Sequence, residues 1–210
     1  MKLYLVRHAQ SKRNIRLRSD EDSELTEVGQ EQSRRLGKYF HQKKIDLVYC
    51  SKLRRAHDTF KEISPFLPDV KVVYTDKITE YKMGIFGRNG FDDWESFFKA
   101  VGERKSDLYQ FRPEGGESFS EMYRRAGEFY KSLLKKHSKK DILVVGHGFF
   151  LRFLLLNAWG LAIEEEKYFS LSNASVSTLM IEKNKIENFH INDYHHLIYG
   201  GIKLKELRKK

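Results

Sequence analysis

Short apolar runs that stop at a cationic or hydroxyl residue recur along this chain, and they constrain its fold more than any other feature. Three such runs are Leu3 to Val6 before Arg7-His8, Ile45 to Cys50 (interrupted only by Asp46) before Ser51 and Arg54-Arg55, and Ile142 to Val145 before Gly146-His147. Each run has the length of a strand, and each precedes a stretch of helical composition. Strands that alternate with helices predict an α/β fold, here a three-layer α/β/α sandwich around a mostly parallel sheet.

The remaining elements continue this alternation until one segment interrupts it. Thr26 is a candidate N-cap for a helix over residues 29–40. We expect further helices over 52–63, 92–101, 117–137 and 149–159, and short strands over 70–74, 176–181 and 185–191. The stretch from Ile85 to Arg112 is irregular and rich in aromatic residues and glycine, which indicates a small cap inserted at about residues 81–116.

Composition bounds the class of protein. The chain of 210 residues suffices for one domain over 1–210, and its 40% hydrophobic and 32% charged residues are typical of soluble globular proteins. No apolar stretch approaches the ~20 residues of a membrane span, and the N-terminus lacks the pattern of a secretory signal. The one cysteine, Cys50, excludes an intramolecular disulfide. A cytoplasmic enzyme with no membrane partner is the simplest interpretation.

The formal net charge of +10 is compatible with nucleic acid, an anionic membrane or an anionic small substrate. Much of the excess lies in scattered lysines and in a basic C-terminal tail at about residues 203–210. A basic terminus is typically a solvated face, and the chain has no zinc-finger or RNP-type motif. We therefore expect no specific nucleic-acid partner.

The three predicted strand ends are expected to meet. The carboxyl ends of parallel strands lie at one edge of a sheet, which is where α/β proteins bind ligands. Two histidines and one or two arginines that converge there would repel each other unless an anion lay between them. Glycines on both sides of His147 would let backbone amides approach such a ligand. The sequence therefore predicts an anion pocket.

Six sequence blocks, in order along the chain, form a recognisable set. They are Leu5-Val6-Arg7-His8-Ala9-Gln10-Ser11 with Asn14, Leu25 to Gln32, Ser51 to Ala56, Pro113 to Ser118, Val145 to Gly148 and Asn192 to Leu197. Together they resemble the histidine phosphatases, also called the phosphoglycerate-mutase-like superfamily. The matches span positions 3 to 197, nearly the whole chain. A single block is a weak signal, whereas six in the family's order are a strong one.

The resemblance implies a role for each matching residue. His8 would attack phosphorus and carry the phosphoryl group as a phosphohistidine. Its other ring nitrogen should then donate to a backbone carbonyl, which fixes the tautomer. Arg7, Arg55 and His147 would hold the phosphoryl oxygens. The matches also imply phosphate contacts from three uncharged groups, Ser11, Asn14 and Gly148. Because protein cations neutralise the phosphate, the resemblance implies no metal and no cofactor.

The resemblance also implies a proton donor, Glu80. It lies where the family keeps this residue, and a glycine, Gly84, follows at the family's offset. A carboxyl beside a phosphate dianion is expected to hold its proton, because a like charge disfavours ionisation. The same group could afterwards activate water. The alternative is that Glu80 is a surface residue after a short strand.

Several positions depart from the family pattern or leave a choice. Arg54 and Arg55 are adjacent, and the Arg-Ala pairing favours Arg55 as the site residue. Gly87 falls one residue short of the family's second glycine after Glu80, which questions the path into the cap. We expect no acidic or cysteine partner near His195 and His196 that would suggest a metal site, so they are expected to be structural or to support residues that contact the ligand.

Two activities share such a site, and a third interpretation needs no catalysis. A phosphatase admits water to the phosphohistidine, whereas a mutase returns the group to a second hydroxyl. The compact cap favours a metal-independent phosphomonoesterase acting on a small phosphorylated metabolite. A non-catalytic phosphate-binding module would be expected to lack His8 or Glu80. Three cap cations, Lys82, Arg88 and Arg112, are candidates to bind a second anionic group. The sequence does not decide between a monomer and a homodimer.

Overall fold

The protein is described here from a computed structural model, which covers residues 1–15, 22–90, 92–104 and 107–198, with backbone only at 88–90. Six strands form one sheet: β1 (Lys2–Arg7), β2 (Leu47–Ser51), β3 (Lys71–Thr75), β4 (Ile142–Gly146), β5 (Val176–Glu182) and β6 (Lys185–Asp193). Their order is β3-β2-β4-β1-β5-β6. The first four are mutually parallel, and β5 and β6 are antiparallel additions at one side. The predicted mostly parallel sheet is confirmed.

Helices cover both faces of this sheet. They are α1 (Glu27–Phe40), α2 (Arg54–Ile63), α3 (Trp94–Glu103), α4 (Phe119–His137), α5 (Gly148–Trp159) and α6 (His195–Ile198). Residues from α3, α4 and α5 share one buried apolar cluster, and residues from α1, α2 and α6 share another. This is the predicted α/β/α sandwich.

The strands supply the two clusters by alternation. Leu3 and Leu5 join the cluster of α4 and α5, whereas Tyr4 and Val6 join that of α1 and α2. Successive strand residues point to opposite faces, so one strand serves both cores. Every residue of β4 is buried. A central parallel strand covered on both faces reads as a continuous apolar run, which is why its position could be predicted.

Side-chain caps decide where two helices begin. Thr26 accepts a hydrogen bond from the Gly29 amide and caps α1, as predicted. Ser118 accepts from the Glu121 amide, and the Glu121 carboxylate accepts from the Ser118 amide. This capping box starts α4 at Phe119, two residues later than the sequence prediction. Such caps typically stabilise a helix by about 1 kcal/mol.

The cap segment (residues 81–116) connects the sheet to α4 and consists of turns, a 3-10 helix over Gly84–Gly90 and α3. Its entry and exit cross at two glycines. A Cβ on Gly84, whose φ is +55°, would lie 2.1 Å from the Glu114 carbonyl oxygen, and one on Gly116 would lie 2.4 Å from the Lys82 oxygen. This crossing, and not Gly87, fixes the path into the cap.

Two features bear on the remaining expectations. None of the described helices is both long and apolar enough to cross a membrane. The predicted basic tail at about 203–210 lies outside the described residues.

Candidate active site

The sheet register brings the predicted cationic residues together. Arg7 at the end of β1 pairs with Gly146 at the end of β4, so His8 and His147 follow a matched pair of residues. The two imidazole ring centroids lie 5.1 Å apart. On the other side of β4, Cys50 of β2 pairs with Val145, which places Ser51 next to the same edge. We call Arg7, His8, Arg55, Glu80 and His147 the sheet-edge pocket.

His8 is held in one orientation by its own backbone. Its Nδ1 lies 2.7 Å from the Ala9 carbonyl oxygen. A carbonyl can only accept, so Nδ1 carries the proton and Nε2 keeps its lone pair. Arg55 Nε donates to that Nε2 at 3.3 Å. The predicted backbone contact is therefore present, and the unprotonated nitrogen faces a cation.

The backbone around His8 is equally constrained. The His8 amide donates to the Gly146 oxygen at 2.9 Å, and the His8 oxygen accepts from Asn173 Nδ2 at 3.0 Å. The Ala9 amide donates to Thr59 Oγ1, and that hydroxyl donates to the Arg55 oxygen at 2.6 Å. Thr59 thus ties the histidine loop to the helix that carries Arg55.

The structure separates the two adjacent arginines. Arg55 is 5% exposed and lies in the sheet-edge pocket. Arg54 is on the surface, where it pairs with Glu24 at 3.0 Å and with Asp58 at 3.5 Å. The choice of Arg55 over Arg54 agrees with this placement, because successive residues of a helix point about 100° apart.

Arg7 reaches across the pocket from the end of β1. Its Nη1 donates to the Leu171 oxygen at 2.5 Å, which anchors one side of the guanidinium. Its Nε is buried without a hydrogen-bond partner among the described residues. A Cβ on Gly148 would approach Arg7 Nε to 3.4 Å and Glu80 Oε2 to 3.6 Å. The bare backbone at Gly148 therefore leaves room for both charged groups at the start of α5.

One carboxylate oxygen of Glu80 accepts two backbone hydrogen bonds. Its Oε1 accepts from the Tyr81 amide at 3.0 Å and from the Phe149 amide at 3.1 Å. The second of these amides belongs to the first turn of α5, next to His147. Both of these donors bind Oε1, and no backbone amide of the described residues bonds to Oε2.

An ion pair between Arg125 on α4 and Glu117, which precedes α4, holds the backbone that carries Glu80. Arg125 Nη1 donates to the Lys77 and Thr79 oxygens at 2.9 and 3.1 Å. Arg125 Nη2 pairs with Glu117 Oε1 at 2.8 Å, and the same carboxylate oxygen accepts from the Lys82 amide at 3.2 Å. The segment is therefore bound on both sides of Glu80.

Asn14 and Ser11 lie beside His8 and are oriented by one network. Asn14 Oδ1 accepts from the Ser11 amide and hydroxyl, each at 3.0 Å, and from Asn173 Nδ2 at 3.1 Å. Three donors saturate this oxygen, so the amide nitrogen of Asn14 is the group left for a ligand. The Ser11 hydroxyl, in contrast, donates its hydrogen to Asn14 Oδ1, so it is not free to donate to a phosphate.

Burial and like charge keep the pocket histidines neutral. Burial, reinforced by Arg55, lowers the pKa of His8 well below its ordinary 6.5. The same two causes, in that order, lower the pKa of His147. Burial also lowers the pKa of Arg7 to about 10, a shift that the negative charge of Glu80 opposes. Near neutral pH the two imidazoles of the pocket are thus neutral, and the guanidinium groups of Arg7 and Arg55 are the groups that attract an anion.

The cap cations differ from the pocket cations. Arg112 donates to Glu121 Oε1 at 3.1 Å and to the Gly116 oxygen at 3.2 Å, so its guanidinium is engaged at the base of α4. The side chain of Lys82 is exposed. The side chain of Arg88 lies outside the described part of the chain. Of the three candidates for a second anionic group, Arg112 is the one whose contacts argue against that task.

The sequence analysis did not identify two residues of the site. Ser51 is a hydrogen-bond partner of His147, and Asn173 is a hydrogen-bond partner of the His8 backbone. His147 Nε2 lies 2.8 Å from Ser51 Oγ. Asn173 precedes β5, which runs antiparallel to β1, so the start of β5 meets the carboxyl end of β1. The polar stretch Ser172-Asn173-Ala174-Ser175 before a late strand was the available signal.

No group of three or more His, Cys, Asp or Glu side chains within the described ranges is arranged to hold a metal ion. The expectation that His195 has no acidic partner nearby was wrong, because its Nδ1 lies 2.8 Å from Asp193 Oδ1.

Comparison with known proteins gives consistent matches along the chain. A family model described as the histidine phosphatase superfamily (branch 1) matches residues 3–194. A metal-independent phosphoserine phosphatase of Arabidopsis thaliana is 30% identical over 193 residues, which are 87% of this chain and 77% of that protein. A 2,3-bisphosphoglycerate-dependent phosphoglycerate mutase of Bartonella bacilliformis is 30% identical over 172 residues, 78% of this chain and 84% of that one.

A solved structure matches the fold. The crystal structure of the alpha-ribazole phosphatase from Shigella flexneri superposes with a TM-score of 0.79 at 23% identity, and the match covers 92% of this chain and 96% of that one.

Proposed function

The chain belongs to the histidine phosphatase superfamily, branch 1, and from that premise we propose that it is a metal-independent phosphomonoesterase. It acts on a small phosphorylated metabolite through a phosphohistidine on His8. The observation that carries the proposal is the orientation of His8, whose Nδ1 binds the Ala9 oxygen and whose Nε2 lone pair points at Arg55. A neutral imidazole fixed in this way is a nucleophile that needs no separate base.

In the first step His8 Nε2 attacks phosphorus and the bond from phosphorus to the ester oxygen breaks. Arg7, Arg55 and His147 hold the three equatorial oxygens, where charge spreads during phosphoryl transfer. Asn14 adds a neutral donor through its amide nitrogen. These groups are preorganised by hydrogen bonds to backbone or side-chain atoms, so they need little rearrangement as the charge develops.

Glu80 supplies the proton that the departing alkoxide needs. The proton comes from Oε2, because Oε1 accepts two backbone amides. The carboxylate then takes a proton from water, and the resulting hydroxide attacks phosphorus. The bond between phosphorus and His8 breaks, the imidazole regains its lone pair, and Glu80 is protonated again for the next turnover.

Phosphoryl transfer between two hydroxyls of one substrate, a mutase reaction, is the second candidate. The similarity to a phosphoglycerate mutase supports it, and the same pocket chemistry serves both. The compact cap segment and the similarity to a phosphoserine phosphatase favour hydrolysis. We also propose that the chain forms one domain, in which the aromatic residues of the cap segment extend the core of α4 and α5.

The test is hydrolysis of p-nitrophenyl phosphate in the presence of EDTA by the wild type, His8→Ala and His41→Ala. His41 is an exposed histidine and serves as the matched control. We expect metal-free turnover that His8→Ala abolishes and His41→Ala leaves unchanged. Undiminished turnover in His8→Ala would exclude the phosphohistidine route. Isomerisation of 3-phosphoglycerate at a rate above its hydrolysis would assign the mutase reaction instead.

A further inference from the structure

Ser51 ends β2 at the sheet-edge pocket, and the proposed chemistry gives it no task. Its side chain and that of His147 are both fully buried. Ser51 Oγ lies 2.8 Å from His147 Nε2, and the Leu53 amide donates to the same Oγ at 3.3 Å. The serine hydroxyl therefore has two neighbours, of which one can only donate.

Counting hydrogens assigns the direction of the contact with His147. A hydroxyl donates one hydrogen. If His147 Nε2 were the donor, two buried groups, the Ser51 hydrogen and the Nδ1 lone pair, would have no partner among the described residues. With Ser51 as the donor, only the Nδ1 hydrogen is left without one, and each unsatisfied buried polar group costs about 1–3 kcal/mol. Ser51 therefore donates to Nε2, and the proton of the neutral His147 ring resides on Nδ1.

The other ring nitrogen is then a donor without an acceptor. His147 Nδ1 is buried, and none of the described residues bonds to it. Its neighbours include Arg7 and Arg55, which attract an anion but cannot accept its hydrogen. An N–H group in these surroundings is suited to an oxygen of a bound anion.

The geometry points to Ser51 as a positioning residue that holds His147 in the Nδ1–H tautomer and thereby makes it a phosphoryl-oxygen donor. The identity of the anion rests on the proposed function; the tautomer does not. Both histidines of the pocket are then protonated on Nδ1, but each presents a different ring nitrogen to the ligand. The Ala9 carbonyl binds the Nδ1 proton of His8 and leaves a lone pair for attack, whereas the Ser51 hydroxyl binds the lone pair of His147 and leaves a proton for the anion.

Without the Ser51 hydroxyl, the tautomer of His147 would no longer be fixed. With no donor at Nε2, His147 can take the Nε2–H form and turn an Nδ1 lone pair toward the phosphoryl oxygens, which repels them. Removing an anion-stabilising donor outright costs about 10²–10³ in kcat. Removing the group that orients such a donor should cost less, roughly 10- to 100-fold, by analogy with outer-shell partners of histidine ligands.

The decisive measurement is the tautomer of His147, read from ¹⁵N chemical shifts of imidazole-labelled protein with and without inorganic phosphate. A spectrum of His147→Gln identifies the signal among the eight histidines. We expect the Nδ1–H pattern in the wild type under both conditions, and a shift toward Nε2–H in Ser51→Ala. Ser51→Thr, which keeps the hydroxyl, should retain the wild-type pattern. An Nε2–H pattern in the wild type overturns the inference.

Two further readouts separate this inference from the proposed function. Ser51→Ala should weaken inorganic phosphate binding about tenfold, whereas Ser138→Ala, at an exposed serine, should leave it unchanged. Where a substrate is hydrolysed, kcat should fall in Ser51→Ala and recover in Ser51→Thr. Unchanged tautomer and phosphate affinity in Ser51→Ala refute the inference even if the enzyme is a phosphatase. Turnover that survives His8→Ala refutes the phosphohistidine route and leaves the tautomer result intact.

Discussion

The sheet-edge pocket and the cap segment are built by opposite means. In the pocket, titratable side chains are buried or half-buried and hydrogen-bonded to nearby backbone groups, as His8 is to the Ala9 oxygen and Glu80 is to the Phe149 amide. In the cap segment, aromatic rings pack on one another, as Phe97 does on Phe111 at 5.3 Å, and the described charged side chains are exposed or half-buried. If the proposed function holds, the comparison teaches that the fold preorganises the reacting groups, whereas the choice of substrate falls to a surface built from aromatic packing.

Replacing the proposed proton donor should give the largest loss of rate in the pocket relative to a matched substitution in the cap segment. In Glu80→Gln we expect first-turnover alcohol release from an alkyl phosphate to fall about 10²–10⁴-fold, because general acid catalysis is lost. The loss should be far smaller with p-nitrophenyl phosphate, whose leaving group departs without a proton. Rapid-quench kinetics with both substrates measure this.

The control for that experiment is Glu114→Gln, at an exposed carboxylate of the cap segment. It should leave both rates within about twofold, as is usual for surface charges. Equal losses for both leaving groups in Glu80→Gln would contradict the role of Glu80 as the acid.

The adjacent arginines test whether burial in the pocket decides function. Arg55→Ala should lower kcat/KM by about 10²–10³, the range for loss of one transition-state donor. Arg54→Ala should change it less than twofold, since Arg54 lies on the surface beside Glu24 and Asp58. Steady-state kinetics on both variants decide the point, and comparable losses would mean that the assignment within the pair is wrong.

The pocket should also make the fold sensitive to acid, in a way that the cap segment, which has no histidine, cannot. Burial lowers the pKa of His8 and His147 in the folded protein. Below pH 6.5 the unfolded chain therefore binds more protons than the folded one. The free energy of unfolding consequently decreases as the pH is lowered. Each histidine should contribute up to about 2 kcal/mol of this loss between pH 6.5 and 5.

Urea unfolding at pH 7.5 and 5 measures this effect. His147→Gln should lose less free energy of unfolding on acidification than the wild type, whereas His41→Gln, at an exposed position, should behave as the wild type does. The same acid loss in His147→Gln as in the wild type would show that this ring is not held neutral.

Cap charges should have the smallest effect, and one that concerns selectivity. Lys82→Ala should change the ratio of kcat/KM for phosphoserine over phosphoethanolamine roughly two- to fivefold, as for an exposed charge pair. Arg112→Ala should change the ratio less, because Glu121 and the Gly116 oxygen already engage that guanidinium. A larger effect from Arg112 than from Lys82 would reverse this assignment.

The same division explains what could be predicted from the sequence. Strands and pocket residues were predictable because Arg7-His8 and Gly146-His147 each directly follow a buried apolar run, and parallel pairing brings such ends together. The N-cap of α1 was predictable because Thr26 is a local signal.

Other parts were not predictable from local pattern. The tasks of Ser51 and Asn173 depend on which strands are neighbours and on the antiparallel direction of β5. The path into the cap depends on the crossing of Gly84 with Gly116, residues more than thirty positions apart. The pairing of Arg112 with Glu121 follows from the position of α4, and charge alone suggested a different task for it.

The most direct test of the account is chemical identification of the covalent intermediate. Wild type mixed with an excess of substrate and quenched in alkali within the first turnover is digested with trypsin and analysed by mass spectrometry. We predict one phosphoryl group on the peptide from His8 to Lys12, lost on acid treatment and absent from His8→Ala. Phosphate that survives acid on the same peptide, which would indicate Ser11, or a first turnover with no phosphorylated chain, would contradict the account.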